Sequence, residues 1–187
     1  MESDLLQMHG GDHALLLAIE RHSAGAWPAP DIVVLNGWEC RFAAASKSRR
    51  VNSLTPLEPV AGRFEQTLSV ARRLCRDRGV PCTVRVTPVL GNEDLALLAS
   101  EGFEQKDTTF VKILPLGGVG HADPSVLIVS PPHEEWLGQY ASITRMGFEE
   151  KKVIDSMLAH VTGEMILASL VVDGEVVSVG RAVIRNG

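Results

Sequence analysis

Apolar and polar positions alternate with two different periods in the first part of the chain. Residues 12–23 carry apolar side chains at helical spacing, which predicts an amphipathic helix. Two short apolar runs follow, at residues 32–35 and 38–44, and Asn36-Gly37 separates them. Asn-Gly between such runs favours a two-residue turn in which both residues have positive φ. The pattern therefore predicts a helix followed by a β-hairpin.

The next apolar segments continue this mixture of strands and helices. Residues 50–57 are a third strand candidate, and residues 61–78 carry apolar positions at helical spacing. Residues 82–87 then have the composition of a buried strand. Residues 92–102 begin with a capping Asn and end with Gly, which predicts a short helix. Residues 108–114 are the last strand candidate of this half.

The pattern stops at residues 115–125, which contain several Gly and Pro residues and little apolar bulk. Such a composition is typical of a linker. We therefore expect a leader at residues 1–11, one domain at 12–114 and a second unit at 126–187.

The second unit restarts with a strand at residues 125–129 and two helices that meet at Gly147. Residues 165–172 and 176–185 are then two strands joined by Asp173-Gly174, another two-residue turn. The last strand has apolar residues on both faces, which is typical of a strand inside a sheet. Because Asn186-Gly187 follows it without a return strand, we expect the sequence to stop within a sheet. We also expect a homodimer joined through this C-terminal edge.

Composition restricts the function classes. The chain has 187 residues, 45% hydrophobic and 22% charged, with a net charge of −5. This acidic balance argues against nucleic-acid binding, which usually needs a basic surplus. Apolar runs are too short to cross a bilayer, the N-terminus lacks a signal-peptide pattern, and the three cysteines form no CxxC pair. These features predict a cytoplasmic protein without membrane or metal partners. No GxSxG, Walker A or HExxH motif is present either.

The order strand, helix, helix, strand, strand in the second unit resembles the opening half of the GNAT acyltransferase superfamily. Residues 172–187, VDGEVVSVGRAVIRNG, look like the hairpin that precedes the family's acetyl-CoA-binding strand. In that family a Q/R-x-x-G-x-G/A loop follows and binds the pyrophosphate through backbone N–H groups at a helix N-terminus. No intact copy of this loop occurs in the 187 residues.

Residues 12–114 are similar to the same superfamily in a degenerate form. Residues 49–57, RRVNSLTPL, stand where the acyl-CoA strand would be, and residues 101–103, EGF, resemble a conserved helix end. Two departures are clear: residues 58–63 lack the phosphate loop, and Leu98 stands where a Tyr general acid is frequent. Trp27-Pro28, Gly37-Trp38, Arg41 and residues 49–53 also resemble bacterial proteins of this superfamily.

This resemblance implies an α+β fold with a mixed sheet, a degenerate N-terminal GNAT-like unit and a partial C-terminal one. It implies acetyl-CoA as co-substrate and a primary amine, on a small molecule or a peptide, as acceptor. The residues for the chemical step would lie after Gly187, so no catalytic residue is assigned. The alternative is a non-catalytic GNAT-like module that dimerises or binds a small molecule.

Few side chains are candidates for a site. Arg49, Arg50 and Asn52 are either an anion contact, since Arg can bind phosphate or carboxylate through two hydrogen bonds, or the end of a strand with Asn52 fixing a turn. Gly62 and Arg63 begin a helix and are a candidate relic of a cofactor phosphate site. Phe148 is the candidate for lining an acceptor pocket. Trp136 and Tyr140 lie in the same region, which the resemblance makes a candidate for shaping the acceptor pocket. Together with Ile143 they also have the spacing of a helix core, which is the interpretation we favour.

Overall fold

The computed structural model describes residues 10–58, 63–114, 120, 123–129 and 133–185, with side chains from residue 13 onward. Within these residues the chain forms five helices and two three-stranded antiparallel sheets, which confirms the α+β class. The elements of the first half are α1 (Gly10–Ala26), β1 (Asp31–Leu35), β2 (Trp38–Phe42), β3 (Ser53–Pro56), α2 (Phe64–Asp77) and α3 (Asn92–Ser100). Those of the second half are β4 (Val126–Val129), α4 (Glu134–Thr144), α5 (Phe148–Ala159), β5 (Glu164–Val172) and β6 (Glu175–Ile184).

Both predicted hairpins are confirmed. Asn36 and Gly37 have φ of 47° and 78°, and the β1–β2 register pairs Leu35 with Trp38 across the turn. Asp173 and Gly174 have φ of 52° and 83° between β5 and β6. Positive φ at both central positions matches the right-handed twist of the flanking strands, which is why Asn, Asp and Gly stand there.

Two predicted strands of the first half are wrong. Residues 82–87 form only one parallel bridge, in which the Leu54 N–H donates to the Thr83 carbonyl and the Arg85 N–H to the Leu54 carbonyl. The ladder has little room to continue, because β3 ends at Pro56, which has no N–H to donate. The first sheet is therefore smaller than the pattern predicts.

Residues 108–114 are likewise not a strand and lie exposed, with Phe110 83% accessible. A strand needs a neighbour to accept its backbone hydrogen bonds. None of the described residues provides one for this segment, so its apolar pattern alone does not produce a strand.

Two hydrophobic clusters form the interior. The first joins the β1–β3 sheet to α2 and α3 through residues such as Trp38, Leu54 and Leu68. The second lies between the β4–β6 sheet and helices α4 and α5, where Leu137, Ile154 and Leu167 are fully buried. Four buried residues of the first half complete this second cluster: Trp27, Ala29, Ala43 and Val51. The two halves of the chain therefore share a core, and a cleft lies at their junction.

Candidate functional site

The cleft at the junction has a volume of about 360 Å³. Four pieces of the chain that are distant in sequence build it: the residues after α1, the loop between β2 and β3, helix α4, and strand β6. Its lining consists of Trp27, Ser48, Arg50, Trp136, Tyr140, Val179 and Arg181.

Aromatic rings form the floor of the cleft. Trp136 stacks on Tyr140 with 5.4 Å between ring centroids and 22° between planes. Trp27, from the other half, meets Tyr140 edge to face at 6.4 Å. The Trp136 indole N–H donates to the Ala168 carbonyl at 3.1 Å, which fixes the ring against β5. Edge-to-face and offset-stacked pairs are the favourable geometries for aromatic rings, so the rings of this floor already hold their positions before any ligand binds.

Two guanidinium groups border the aromatic floor. Arg181 lies on β6, with its guanidinium carbon 4.5 Å from the Trp27 ring centroid. Its Nη1 donates to the Ala26 carbonyl at the end of α1. Arg50 belongs to the β2–β3 loop and is exposed. Cation–π contact and a backbone hydrogen bond therefore hold Arg181 in place, whereas the Arg50 side chain lines the cleft and is exposed to water.

Arginines also satisfy the carbonyls at the C-terminal end of α1, where the last four have no partner within the helix. Arg41, buried on β2, donates to the Ala24 carbonyl at 3.2 Å and to the Trp27 carbonyl. A third donation, at 3.1 Å, goes to the carbonyl of Arg50. Arg41 thus joins the two segments that carry Trp27 and Arg50 to the cleft.

The loop between β2 and β3 is held by Asn52. The amide oxygen of Asn52 accepts from the Ala43 N–H at 2.8 Å, and its nitrogen donates to the carbonyls of Ala43, Ser46 and Ser48 at 3.1, 2.8 and 3.3 Å. Glu150 of α5 holds the same loop from the other half of the chain, accepting from the Lys47 N–H at 2.9 Å. These contacts fix Ser48 and Arg50 at the cleft.

The cleft carries positive charge, from Arg50 and Arg181. Burial and then the charge of Arg50 lower the pKa of Arg181, and neither guanidinium pairs with a carboxylate among the residues that the structure describes. An Arg side chain nevertheless keeps its proton at neutral pH. Among the described residues, the lining contains no imidazole, thiol or carboxylate. These lining residues therefore offer binding groups but no imidazole or carboxylate base.

The sequence candidates separate in the structure. Arg50 lines the cleft, whereas Arg49 points to an exposed ion pair with Asp107. Asn52 is buried and hydrogen-bonded to backbone groups, so it fixes the loop and does not contact an anion in the cleft. Phe148 is 71% exposed at the start of α5 and is not among the cleft residues.

The other candidates lie elsewhere. Arg63 is exposed at the N-cap of α2, and Gly62 lies outside the described residues. Of the three residues with core spacing on α4, Trp136 is buried and Tyr140 packs against the core, but Ile143 is 43% exposed. Sequence reasoning missed Trp27 and Arg181 as site residues. The signals that could have indicated them were the family resemblance at Trp27-Pro28 and the single Arg in the mainly apolar strand that ends the sequence.

Other features of the described chain are less suggestive of a site. A shallow pocket of about 300 Å³ lies where β5 begins and β6 ends, lined partly by Gly163 and Arg185. Within the described residues, no three His, Cys, Asp or Glu side chains cluster as metal ligands would. No helix in the same part of the chain is long and apolar enough to cross a membrane.

Comparison with known proteins identifies a family that the chain matches. Residues 14–187 match the family described as "Probable histone acetyltransferase Rv0428c C-terminal". No curated protein and no solved structure matches the chain. Because the family match spans almost the whole sequence, including every residue that lines the cleft, the protein belongs to the family whose description is "Probable histone acetyltransferase Rv0428c C-terminal".

Proposed function

We propose that the protein is a GNAT-superfamily N-acetyltransferase, or part of one, which transfers an acetyl group from acetyl-CoA to a primary amine. The observation that carries the proposal is the family match over residues 14–187, since the family's description names an acetyltransferase. The order β4, α4, α5, β5, β6 supports it, because this order resembles the opening of the superfamily's fold.

The acceptor in this proposal is an amine of a small molecule or a peptide. The description of the family names a histone acetyltransferase, which fits an amine carried by a peptide. The net charge of −5 would favour the approach of a cationic acceptor over that of a polyanion. We place no nucleic acid or membrane among the partners.

Acetyl transfer requires three things of the enzyme. The amine must be oriented on the thioester carbonyl, it must lose a proton, and the carbonyl oxygen must be polarised by a hydrogen-bond donor. The described cleft lining offers no ordinary base, and the sequence has no Q/R-x-x-G-x-G/A loop for the pyrophosphate of acetyl-CoA. We therefore propose that these 187 residues alone are close to inactive.

The alternative is a non-catalytic module that dimerises or binds a small molecule. The junction cleft favours it specifically, because the cleft combines fixed aromatic rings and cations without a base.

Calorimetric titration of the chain with acetyl-CoA separates the two proposals. Binding in the micromolar range supports the acetyltransferase. No detectable binding supports the module. A parallel assay for acetyl transfer to polyamines, amino acids and a histone-tail peptide identifies the acceptor class if turnover occurs.

A further inference from the structure

We propose that the junction cleft binds an organic anion, with a carboxylate or phosphate held by Arg50 and Arg181 and its apolar part lying on the rings of Trp27, Trp136 and Tyr140. This inference goes beyond acetyl transfer, because it concerns a binding place that the family description does not identify and that the sequence indicates only through Arg50. It holds for an enzyme and for a binding module alike.

The first argument is the uncompensated charge. Arg181 is partly buried, and Arg50 lies close enough to disfavour its charged form, yet none of the described carboxylates pairs with either arginine. Burying a cation without a counter-ion is costly. By contrast, Arg85 of the same chain pairs with Glu20 at 3.0 Å, and Arg78 pairs with Asp31 at 2.6 Å. An anionic ligand would supply the counter-charge that the cleft lacks.

The second argument is the number of free donors. A guanidinium has five N–H groups in a planar fork. Arg181 uses one of its terminal nitrogens on the Ala26 carbonyl, and Arg50 makes no side-chain hydrogen bond to any described residue. The remaining N–H groups suit the two oxygens of a carboxylate or the oxygens of a phosphate.

The third argument is that the cleft is built rather than accidental. Arg41 ties the carbonyls of Trp27 and Arg50 together, and Asn52 and Glu150 fix the loop that carries Arg50. Trp136 is anchored to β5 by its indole N–H. A site whose walls are held by such contacts needs little reorganisation when a ligand binds, which favours affinity.

The charge of the cleft also determines which part of a reaction it could serve. Two guanidiniums repel the ammonium form of an amine, so the cleft is unsuited to holding an acceptor amine directly. Two sources remain for the anion: a phosphate of coenzyme A, or an acidic group carried by the acceptor or by an effector. The test below distinguishes these sources.

Isothermal titration calorimetry of the 187-residue chain provides the test. The probes are coenzyme A, phenyl phosphate and phenylacetate, with benzyl alcohol as the uncharged analogue and inorganic phosphate as the anion without a ring. We expect at least one charged aromatic probe, or coenzyme A, to bind about tenfold or more tightly than benzyl alcohol and inorganic phosphate. Preferential binding of coenzyme A assigns the anion to the acyl donor, and preferential binding of the small acids assigns it to an acceptor or effector.

Two neighbouring arginines provide a matched pair of variants. Arg50→Gln should weaken binding by about tenfold or more, because it removes charged donors from the cleft. Arg49→Gln should change binding less than about twofold, since Arg49 is exposed, pairs with Asp107 and does not line the cleft. Arg181→Lys, which keeps the charge but loses the fork, should fall between wild type and Arg50→Gln.

Three results would overturn the proposal: no saturable binding of any charged probe, equal binding of benzyl alcohol and the charged probes, or equal effects of Arg49→Gln and Arg50→Gln. None of these results depends on acetyl transfer. The proposal can therefore fail while the acetyltransferase proposal stands, and the reverse is also true.

Discussion

At the scale of single residues, Asn52 holds the loop that carries Arg50. Its buried amide makes four hydrogen bonds to backbone groups of residues 43–48. Asn52→Ala should lower the free energy of unfolding by about 2 kcal/mol, because backbone groups of this loop lose their partners. Asn92→Ala is the control: the structure places Gly91, and not the predicted Asn92, at the N-cap of α3, so this exposed change should stay within about 0.5 kcal/mol of wild type in urea unfolding. Equal losses for the two variants would contradict the role of Asn52.

The three thiols should differ in reactivity. Burial raises the pKa of Cys40 to about 11, whereas a hydrogen bond from Cys75 lowers the pKa of Cys82 and raises that of Cys75 itself. Because the thiolate is the nucleophile, iodoacetamide at pH 8 should modify Cys82 first, and both Cys40 and Cys75 much more slowly. Peptide mass spectrometry over time measures the order. Modification of Cys40 at the rate of Cys82 would show that the core around it opens readily.

The raised pKa of Cys40 also has a consequence for stability. The folded state holds this proton more tightly than the unfolded chain, whose thiol titrates near 9.0. The contribution to stability is therefore complete below pH 9 and is lost as the pH rises towards 11. In urea unfolding from pH 8 to 10.5, wild type should lose stability more steeply than Cys40→Ala. Parallel pH profiles would contradict this expectation.

At the scale of elements, the two hairpin turns allow a matched comparison. Gly37 and Gly174 have φ of +78° and +83°, so an Ala at either position pays the strain of the left-handed region, about 1–2 kcal/mol. At Gly37 the new Cβ would also lie 2.9 Å from the Cβ of Glu58, whereas nothing lies within 4 Å at Gly174. Gly37→Ala should therefore cost about 1 kcal/mol more than Gly174→Ala in urea unfolding. Equal costs would mean that Glu58 moves aside freely.

The same elements show what could be predicted from sequence. Both hairpins and most helices depend on local signals, namely turn residues and helical spacing, and these signals were sufficient. Residues 82–87 and 108–114 are different, because a strand exists only if another strand pairs with it. The sequence of a segment does not show whether such a partner strand will lie beside it. The apolar pattern therefore predicted two strands. In the described structure the first segment forms a single bridge, and the second forms no strand pairing.

The candidate site was only partly predictable for a related reason. Arg50 was found because it belongs to a polar cluster that is visible along the sequence. Trp27 and Arg181 are more than 150 residues apart and meet only because the two halves share a core. Each looks unremarkable in its own segment, where an aromatic residue after a helix or one Arg in a strand is ordinary. Tertiary packing creates the site, so local reasoning could not assemble it.

At the scale of the whole molecule, we expect negligible acetyl transfer by these 187 residues. Without a phosphate-binding loop, the chain lacks several charge-assisted hydrogen bonds to acetyl-CoA, each worth about 1.5–3 kcal/mol. Their loss should reduce affinity for the acyl donor by orders of magnitude. A thiol-release assay with acetyl-CoA and common amines measures the rate. Turnover above the uncatalysed background would show that other residues bind the donor.

Our expectation for the association state rests on strand β6, which forms one edge of the β4–β6 sheet. On its outer side no described strand accepts or donates the hydrogen bonds of its backbone, and Val177 and Ile184 are each 50% exposed. An apolar edge of ten residues is a template for pairing with a second copy. We expect light scattering to give twice the chain's 20.2 kDa at high micromolar concentration.

A charge on the strand should prevent this association. Ala182→Lys places an ammonium at an exposed position of β6 and should shift the mass towards the monomer, since charged residues on edge strands oppose pairing between chains. Ala159→Lys makes the same change at the exposed end of α5 and should leave the dimer intact. A wild-type monomer whose β6 amides are protected from hydrogen exchange would contradict the expectation. Dissociation by both variants would place the interface away from the edge.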